Sequence, residues 1–240
     1  MEAGSMSADT SYLTGQWAQV RRRVDDACRD AGRDPAEVSI LPVSKTFGVG
    51  LIRAAVALGL HRFGENKVQE IREKSVPLAD CAIDWVVIGH LQTNKAKDVA
   101  RLASEVQSLD RLELAEALHR RLQHEGRAID VLVQVKTSPE PSKFGLPPEG
   151  LPAFLNLLRG YDTLRVRGLM TMATQSSDPA EVRACFRLLR ELGARGLAQG
   201  HDLNKLSMGM SGDFPLAIAE GATELRIGTA IFGRRGYSVN

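Results

Sequence analysis

The sequence predicts a single α/β domain: a closed (β/α)8 TIM barrel with one extra helix in front. Three observations lead there. Short apolar runs alternate with amphipathic stretches along the chain, the pattern of a parallel sheet whose strands are joined by helices. Most of those runs are near-continuous rather than strictly alternating, as in strands covered on both faces. Eight such units fit into 240 residues, and one barrel domain commonly takes roughly 200–250. An open doubly wound sheet is the alternative, and the lack of a glycine-rich dinucleotide turn after any strand weighs against it.

Residues 1–11 read as a floppy start and 12–240 as the barrel domain. Over 16–31, Trp17, Val20, Val24, Ala27 and Cys28 recur at helical spacing, with Gly32 as a stop. Strand candidates follow at 39–45 (SILPVSK), 62–66 (RFGEN), 84–89 (DWVVIG) and 105–110 (EVQSLD). They continue at 130–135 (DVLVQV), 166–172 (VRGLMTM), 205–210 (KLSMGM) and 224–228 (ELRIG). Helical patterns occupy 50–59, 111–125, 179–192 and 213–220. The third of these opens with Asp178 as N-cap before a first-turn Pro179 and stops at Gly193. The stretch 139–152 (PEPSKFGLPPEGLP) is the longest loop-like segment and follows the fifth strand.

Composition narrows the partners. With 31 Lys+Arg against 29 Asp+Glu the net charge is +2, and the basic run Arg21-Arg22-Arg23 is followed by Asp25 and Asp26, a solvated helix face. No basic stripe interleaved with aromatics supports nucleic-acid binding. Cys28, Cys81 and Cys185 are odd in number and far apart, and the histidines lack ligand spacing, so neither a disulfide framework nor a metal site is indicated. No apolar run approaches the ~18 residues of a membrane span, and the N-terminus lacks a signal peptide's charged and apolar regions. A cytoplasmic, reducing location is the expectation.

In a barrel the chemistry sits at the C-terminal ends of the strands. The polar residues there are Lys45, Glu65, Asn66, His90, Asp110, Lys136, Ser207, Ser211, Arg226, Gly228 and Thr229. A lysine ending a buried strand is desolvated, which frees its amine to form a Schiff base with an aldehyde; the plain alternative is a lysine that snorkels to solvent. After the eighth strand, Gly228 lets backbone approach a ligand and the N–H groups beyond it suit a phosphate, as phosphate sites near strands seven and eight often do. Thr229 and Ser211 add hydroxyl donors, against the readings of an ordinary turn glycine and an ordinary N-cap serine. Met170, Met172, Met208 and Met210 read as barrel filling. A lysine for an aldehyde, a phosphate cup and an arginine on the last strand together point to pyridoxal phosphate.

Several segments, in order, sharpen this: Val43-Ser44-Lys45-Thr46, Phe63-Gly64-Glu65-Asn66 with Val68-Gln69-Glu70, and Ile88-Gly89-His90-Leu91-Gln92-Thr93-Asn94-Lys95. Ser142-Lys143-Phe144-Gly145, Gly168-Leu169-Met170, Leu206-Ser207-Met208-Gly209-Met210-Ser211 and Arg226-Ile227-Gly228-Thr229-Ala230-Ile231-Phe232-Gly233 follow. From about Ile40 to Tyr237 the chain resembles the pyridoxal phosphate homeostasis proteins, single-domain relatives of the alanine racemase N-terminal barrel. The resemblance implies Lys45 as the Schiff-base lysine and Arg226 facing the pyridine nitrogen. It implies Ser211, Gly228 and Thr229 as the phosphate cup, with Asn66 and His90 near the cofactor. It also implies a protein that holds and delivers the cofactor, in amino-acid and keto-acid balance, without established turnover. Pyridoxal phosphate-dependent apoenzymes would be the partners, and a monomer is the expected state.

An enzyme, an amino-acid racemase or lyase using the same lysine, is the second reading; a partner-binding module regulated by the cofactor is the third. Arginine donates to a ring nitrogen but does not take its proton, which leaves the ring a poor electron sink. Alanine racemase, with a similar arrangement, uses a tyrosine from a separate C-terminal domain of the partner subunit as its second acid–base. This sequence reaches Asn240 soon after the eighth strand, so that domain is not expected, and Tyr12, Tyr161 and Tyr237 fall outside the strand-end motifs.

Overall fold

The structure is a computed structural model and describes residues 2–233, with side chains from Thr10 onward; Tyr237 and the end of the motif-bearing region lie outside the described residues. Helix α1 (Glu2–Asp30) precedes β1 (Ser39–Pro42), α2 (Val49–Ala57), β2 (Arg62–Glu65), α3 (Val68–Ser75) and β3 (Asp84–Val87). Next come α4 (Ala96–Leu102), β4 (Ala103–Leu109), α5 (Leu112–Glu125), β5 (Ile129–Gln134), α6 (Leu151–Leu158) and β6 (Leu164–Met170). The chain continues through α7 (Pro179–Ala198), β7 (Lys205–Ser207), α8 (Phe214–Ala219), β8 (Glu224–Ile227) and α9 (Thr229–Phe232).

All eight strands pair in parallel in the order β1-β8-β7-β6-β5-β4-β3-β2. The ring is brought together by a parallel bridge between Val43 and Gly64, where the Ser44 N–H donates to the Gly64 carbonyl at 3.1 Å. This is the (β/α)8 barrel the alternation implies. Its helices bury apolar stripes on the outer faces of the strands, among them Leu114 and Leu118 of α5 and Phe186 and Leu189 of α7, all fully buried. Area removed from water at about 25 cal/mol per Å² is what holds this layer on.

The first and seventh strands are shorter than the sequence reading, ending at Pro42 and Ser207 rather than at 45 and 210, and the sixth runs Leu164–Met170 rather than over 166–172; the larger differences are at two helix ends. Helix α1 is helical from Glu2 rather than from Gln16, in the stretch read as a floppy start; Leu13 is buried and continues the stripe of Val20 and Val24 two turns back. Helix α7 runs through Gly193 to Ala198. Gly193 and Gly196 are packing glycines, not stops: a Cβ would sit 3.1 Å from Leu206 Cδ2 at the first and 2.3 Å from Leu203 Cδ1 at the second. The helix ends instead at Gln199, before Gly200 at φ +80°.

The barrel bore is charged. Arg62 of β2 pairs with Glu105 of β4 and Glu224 of β8. Lys205 of β7 reaches the same two carboxylates at 3.2 and 3.4 Å. Strands β4 and β8 stand on opposite sides of the ring, so these bonds cross the bore. Burial pushes Glu224 up, but Arg62 and Lys205 outweigh it and hold the carboxyl below its ordinary 4.5. A depressed carboxyl contributes stability that is present above 4.5 and lost as pH falls through its folded value. Glu65, which burial raises despite Lys74 and Ser44, works in the opposite sense. The stability gap between wild type and Glu224→Gln, measured by urea unfolding, should therefore narrow as pH is lowered below about 4.5. A gap that stays constant would contradict the linkage.

Candidate cofactor site

Lys45, Asn66, Ser211, Arg226, Gly228 and Thr229 converge on one cleft of about 290 Å³ at the C-terminal mouth of the barrel. Val43, Ile88, Met172 and Met210 give it apolar walls. The inward-facing alternation of β1 and β8 explains the placement: Val43 and Lys45 lie two apart, as do Arg226 and Gly228.

Lys45 is half-buried, and among the described residues its amine has no hydrogen bond or ion pair; the chain on either side of it is braced. Ser44 Oγ donates to Glu65 Oε1 at 2.6 Å, and the Thr46 N–H donates to Glu70 Oε2 at 2.7 Å. Lys74, itself buried, ties the brace together through Glu65 at 2.7 Å, Glu70 at 3.1 Å and the Ser44 carbonyl at 3.0 Å. Burial pushes Glu70 up, but the Thr46 N–H and Lys74 outweigh it and leave the carboxyl below its usual range. Thr46 sits at φ +69°, a conformation non-glycine residues rarely adopt without support.

Arg226 is buried, donating from Nη1 to Ser207 Oγ at 2.8 Å and from Nη2 to the Thr171 carbonyl at 2.7 Å. Burial pushes its guanidinium down to about 10, with Glu224 and Asp213 opposing, so it remains a cation at neutral pH. The hydroxyls of Ser211 and Thr229 make no hydrogen bond among the described residues and stand at the cleft. Ser211 is not the N-cap of α8; Asp213 holds that position, and its Oδ1 accepts the Met210 N–H at 2.6 Å, closing the turn in which Ser211 is carried. Gly228 is no left-handed turn glycine either: its φ is −112°. What demands glycine is the neighbouring strand, since a Cβ would lie 3.2 Å from the Val43 carbonyl oxygen.

His90 does not join the cleft. It is exposed, stacks on Phe144 with ring centroids 4.1 Å apart, and places Nδ1 3.6 Å from Asp110 Oδ2. At Gly89 the chain passes so close under β2 that a Cβ would sit 2.2 Å from the Asn66 carbonyl oxygen. That turn leaves Ile88 on the inner wall and carries His90 to an adjacent cleft of about 240 Å³, which shares Asn66 with the first. Asp110 and Lys136 line neither cleft. Met170 and Met208 are buried as expected, whereas Met172 and Met210 line the site. The acceptors of Arg226 are Ser207 on the neighbouring strand β7 and the Thr171 carbonyl just past β6; which side chain meets which depends on strand register, which local pattern does not encode.

The fold and cleft define a class of barrel found in alanine racemases: residues 17–236 match the family described as alanine racemase, N-terminal domain. An alanine racemase from Clostridium difficile shares the fold at TM-score 0.70 and 12% identity, over 91% of this chain and 60% of that one. Within the class the likeness is much nearer to one group. A pyridoxal phosphate homeostasis protein of Pseudomonas aeruginosa is 43% identical over 227 residues, 95% of this chain and 97% of that protein. Its counterpart in Aquifex aeolicus is 40% identical over 222 residues, 92% of this chain and 97% of that protein. PipY of Synechococcus elongatus, solved with PLP bound, superposes at TM-score 0.81 with 36% identity, over 92% of this chain and all (100%) of that one. The chain belongs to the pyridoxal phosphate homeostasis protein family.

Proposed function

We propose that this protein binds pyridoxal phosphate in the Lys45 cleft and serves cytoplasmic pyridoxal phosphate homeostasis, holding the cofactor and passing it as a monomer to apoenzymes, with negligible turnover of its own. The reading rests on the convergence on one cleft of an amine and two hydroxyls that have no partner among the described residues, beside a buried guanidinium. That donor set fits the cofactor's aldehyde, ring nitrogen and phosphate. The PLP-bound relative supports the same assignment, and three buried, unpaired cysteines suit a reducing compartment.

When bound, the cofactor supplies an aldehyde for a lysine amine and a ring that can draw electrons from an amino acid. Lys45 offers the amine, held in place by the braced residues on either side. Ser211 and Thr229 offer hydroxyls to the phosphate, joined by the first N–H groups of α9, which have no acceptor within their own helix. Arg226 donates toward the ring nitrogen and, as a cation up to about pH 10, does not accept that nitrogen's proton. Among the described residues lining the cleft, Lys45 is the side chain suited to carrying a proton to or from an amino acid's Cα. A racemase needs a second such group on the opposite face.

Holoprotein mixed with L-alanine in deuterium oxide tests the carrier reading. A visible-absorbance change with almost no Cα–H exchange is the expected result; exchange on the order of 1 s⁻¹ or faster would make the protein an enzyme. The phosphate assignment has its own test. Thr229→Val should weaken pyridoxal phosphate binding about ten- to a hundredfold, the worth of one hydrogen bond to a charged group, and leave unphosphorylated pyridoxal little changed. Equal loss for both ligands would contradict a phosphate role.

A further inference from the structure

Arg226 takes its orientation from a chain of hydrogen bonds that begins at the floor of the bore. Gln107 of β4 donates from Nε2 to Glu105 Oε1 at 2.8 Å and to Glu224 Oε1. Ionised carboxylates only accept, and Arg62 and Lys205 pair with both of them. The amide of Gln107 therefore has one permitted orientation, since flipping it would set its oxygen against two anions. Its Oε1 then faces Ser207 Oγ at 2.7 Å. A carbonyl oxygen accepts, so the single Ser207 proton is committed to Gln107. What Ser207 has left is lone pairs, and they accept from Arg226 Nη1 at 2.8 Å. The polarity of the chain runs one way, from anions at the floor to a donor at the cleft. Gln107 and Ser207 are fully buried, so water does not compete.

We propose that Gln107 is a positioning residue which, through Ser207, fixes the Arg226 guanidinium in the one orientation that aims its remaining donors into the cleft. Its effect on ligand binding rests on the reading that Arg226 meets the cofactor ring; the locking of Arg226 does not. Gln107 lines neither of the two clefts; its hydrogen-bonded link to Arg226 passes through Ser207, beside an electrostatic one through Glu224.

Two readouts keep these layers apart. The first uses the full-length protein without cofactor, labelled with ¹⁵N. Wild type should show distinct, slowly exchanging Arg226 Nη–H resonances, and Gln107→Met, which keeps the volume and removes all three hydrogen bonds of the Gln107 side chain, should average them. Unchanged resonances in a folded Gln107→Met protein would overturn the proposal. The second is a double-mutant cycle on affinity, using pyridoxal phosphate and its analogue with CH in place of the ring nitrogen. Gln107→Met and Ser207→Ala should each weaken pyridoxal phosphate binding about tenfold. The double variant should be no weaker than Ser207→Ala, because the two residues act in one line. The analogue should be indifferent to all three. Additive losses of about a hundredfold, or equal losses for the analogue, would overturn the positioning role. Locked resonances in a wild-type protein that fails to bind pyridoxal phosphate would uphold the relay and refute the cofactor reading instead.

Discussion

Lys45→Ala should abolish the visible absorbance that develops when the protein is mixed with pyridoxal phosphate, and weaken binding by roughly a hundredfold or more. Among the described residues lining the cleft, Lys45 carries the amine that can form a Schiff base with an aldehyde, so its removal takes away the covalent link. The fold should be untouched. Lys45 is half-buried and makes no hydrogen bond among the described residues, and substitutions of that kind usually stay within about 0.5 kcal/mol. An unchanged thermal midpoint together with a colourless protein is the expected pair of results. A yellow Lys45→Ala protein would place the covalent link elsewhere.

Glu224→Ala should have the largest effect on stability. Its carboxylate is completely buried and answers Arg62, Lys205 and Gln107 together. Removing it leaves Arg62, Lys205 and Gln107 to share Glu105, and breaking a buried pair from one side costs up to about 3–5 kcal/mol. Urea denaturation measures this directly through the transition midpoint at unchanged slope. The exposed Arg53–Asp80 pair is the natural control, since surface pairs contribute little. A Glu224→Ala protein as stable as an Asp80→Ala protein would show that the bore network is not what holds β8 against β2 and β4.

Much of this was legible in the sequence because barrels keep their chemistry in one place. Strand ends could be counted, so Lys45, Asn66, Ser211, Arg226, Gly228 and Thr229 could be assigned to one mouth before any coordinates were known. The structure brings those six together. The charged bore was written in the same strands, as Glu105 and Gln107, Glu224 and Arg226, two apart and so on one face. Which of them meet depends on strands that are far apart in sequence and opposite in the ring, and local pattern does not encode that. Gly193 illustrates the limit on helix ends. A glycine late in a helix reads as a stop, and only the nearness of Leu206 shows that it is there to let α7 approach the sheet. His90 fails for a similar reason: one close passage at Gly89 turns its side chain away from the cleft. The helices α3, α4 and α6, of seven or eight residues, were not read from the sequence.

Lys45 is the proposed attachment point for pyridoxal phosphate, and chemical trapping tests it without ambiguity. The most direct measurement is to saturate the full-length protein with the cofactor, reduce it with borohydride, digest it, and locate the pyridoxyl mass by mass spectrometry. One stoichiometric adduct is expected on the peptide containing Lys45, displaced in the absence of reduction by an excess of competing amine. An adduct confined to Lys136 or Lys143, or no adduct at saturating cofactor, would contradict it.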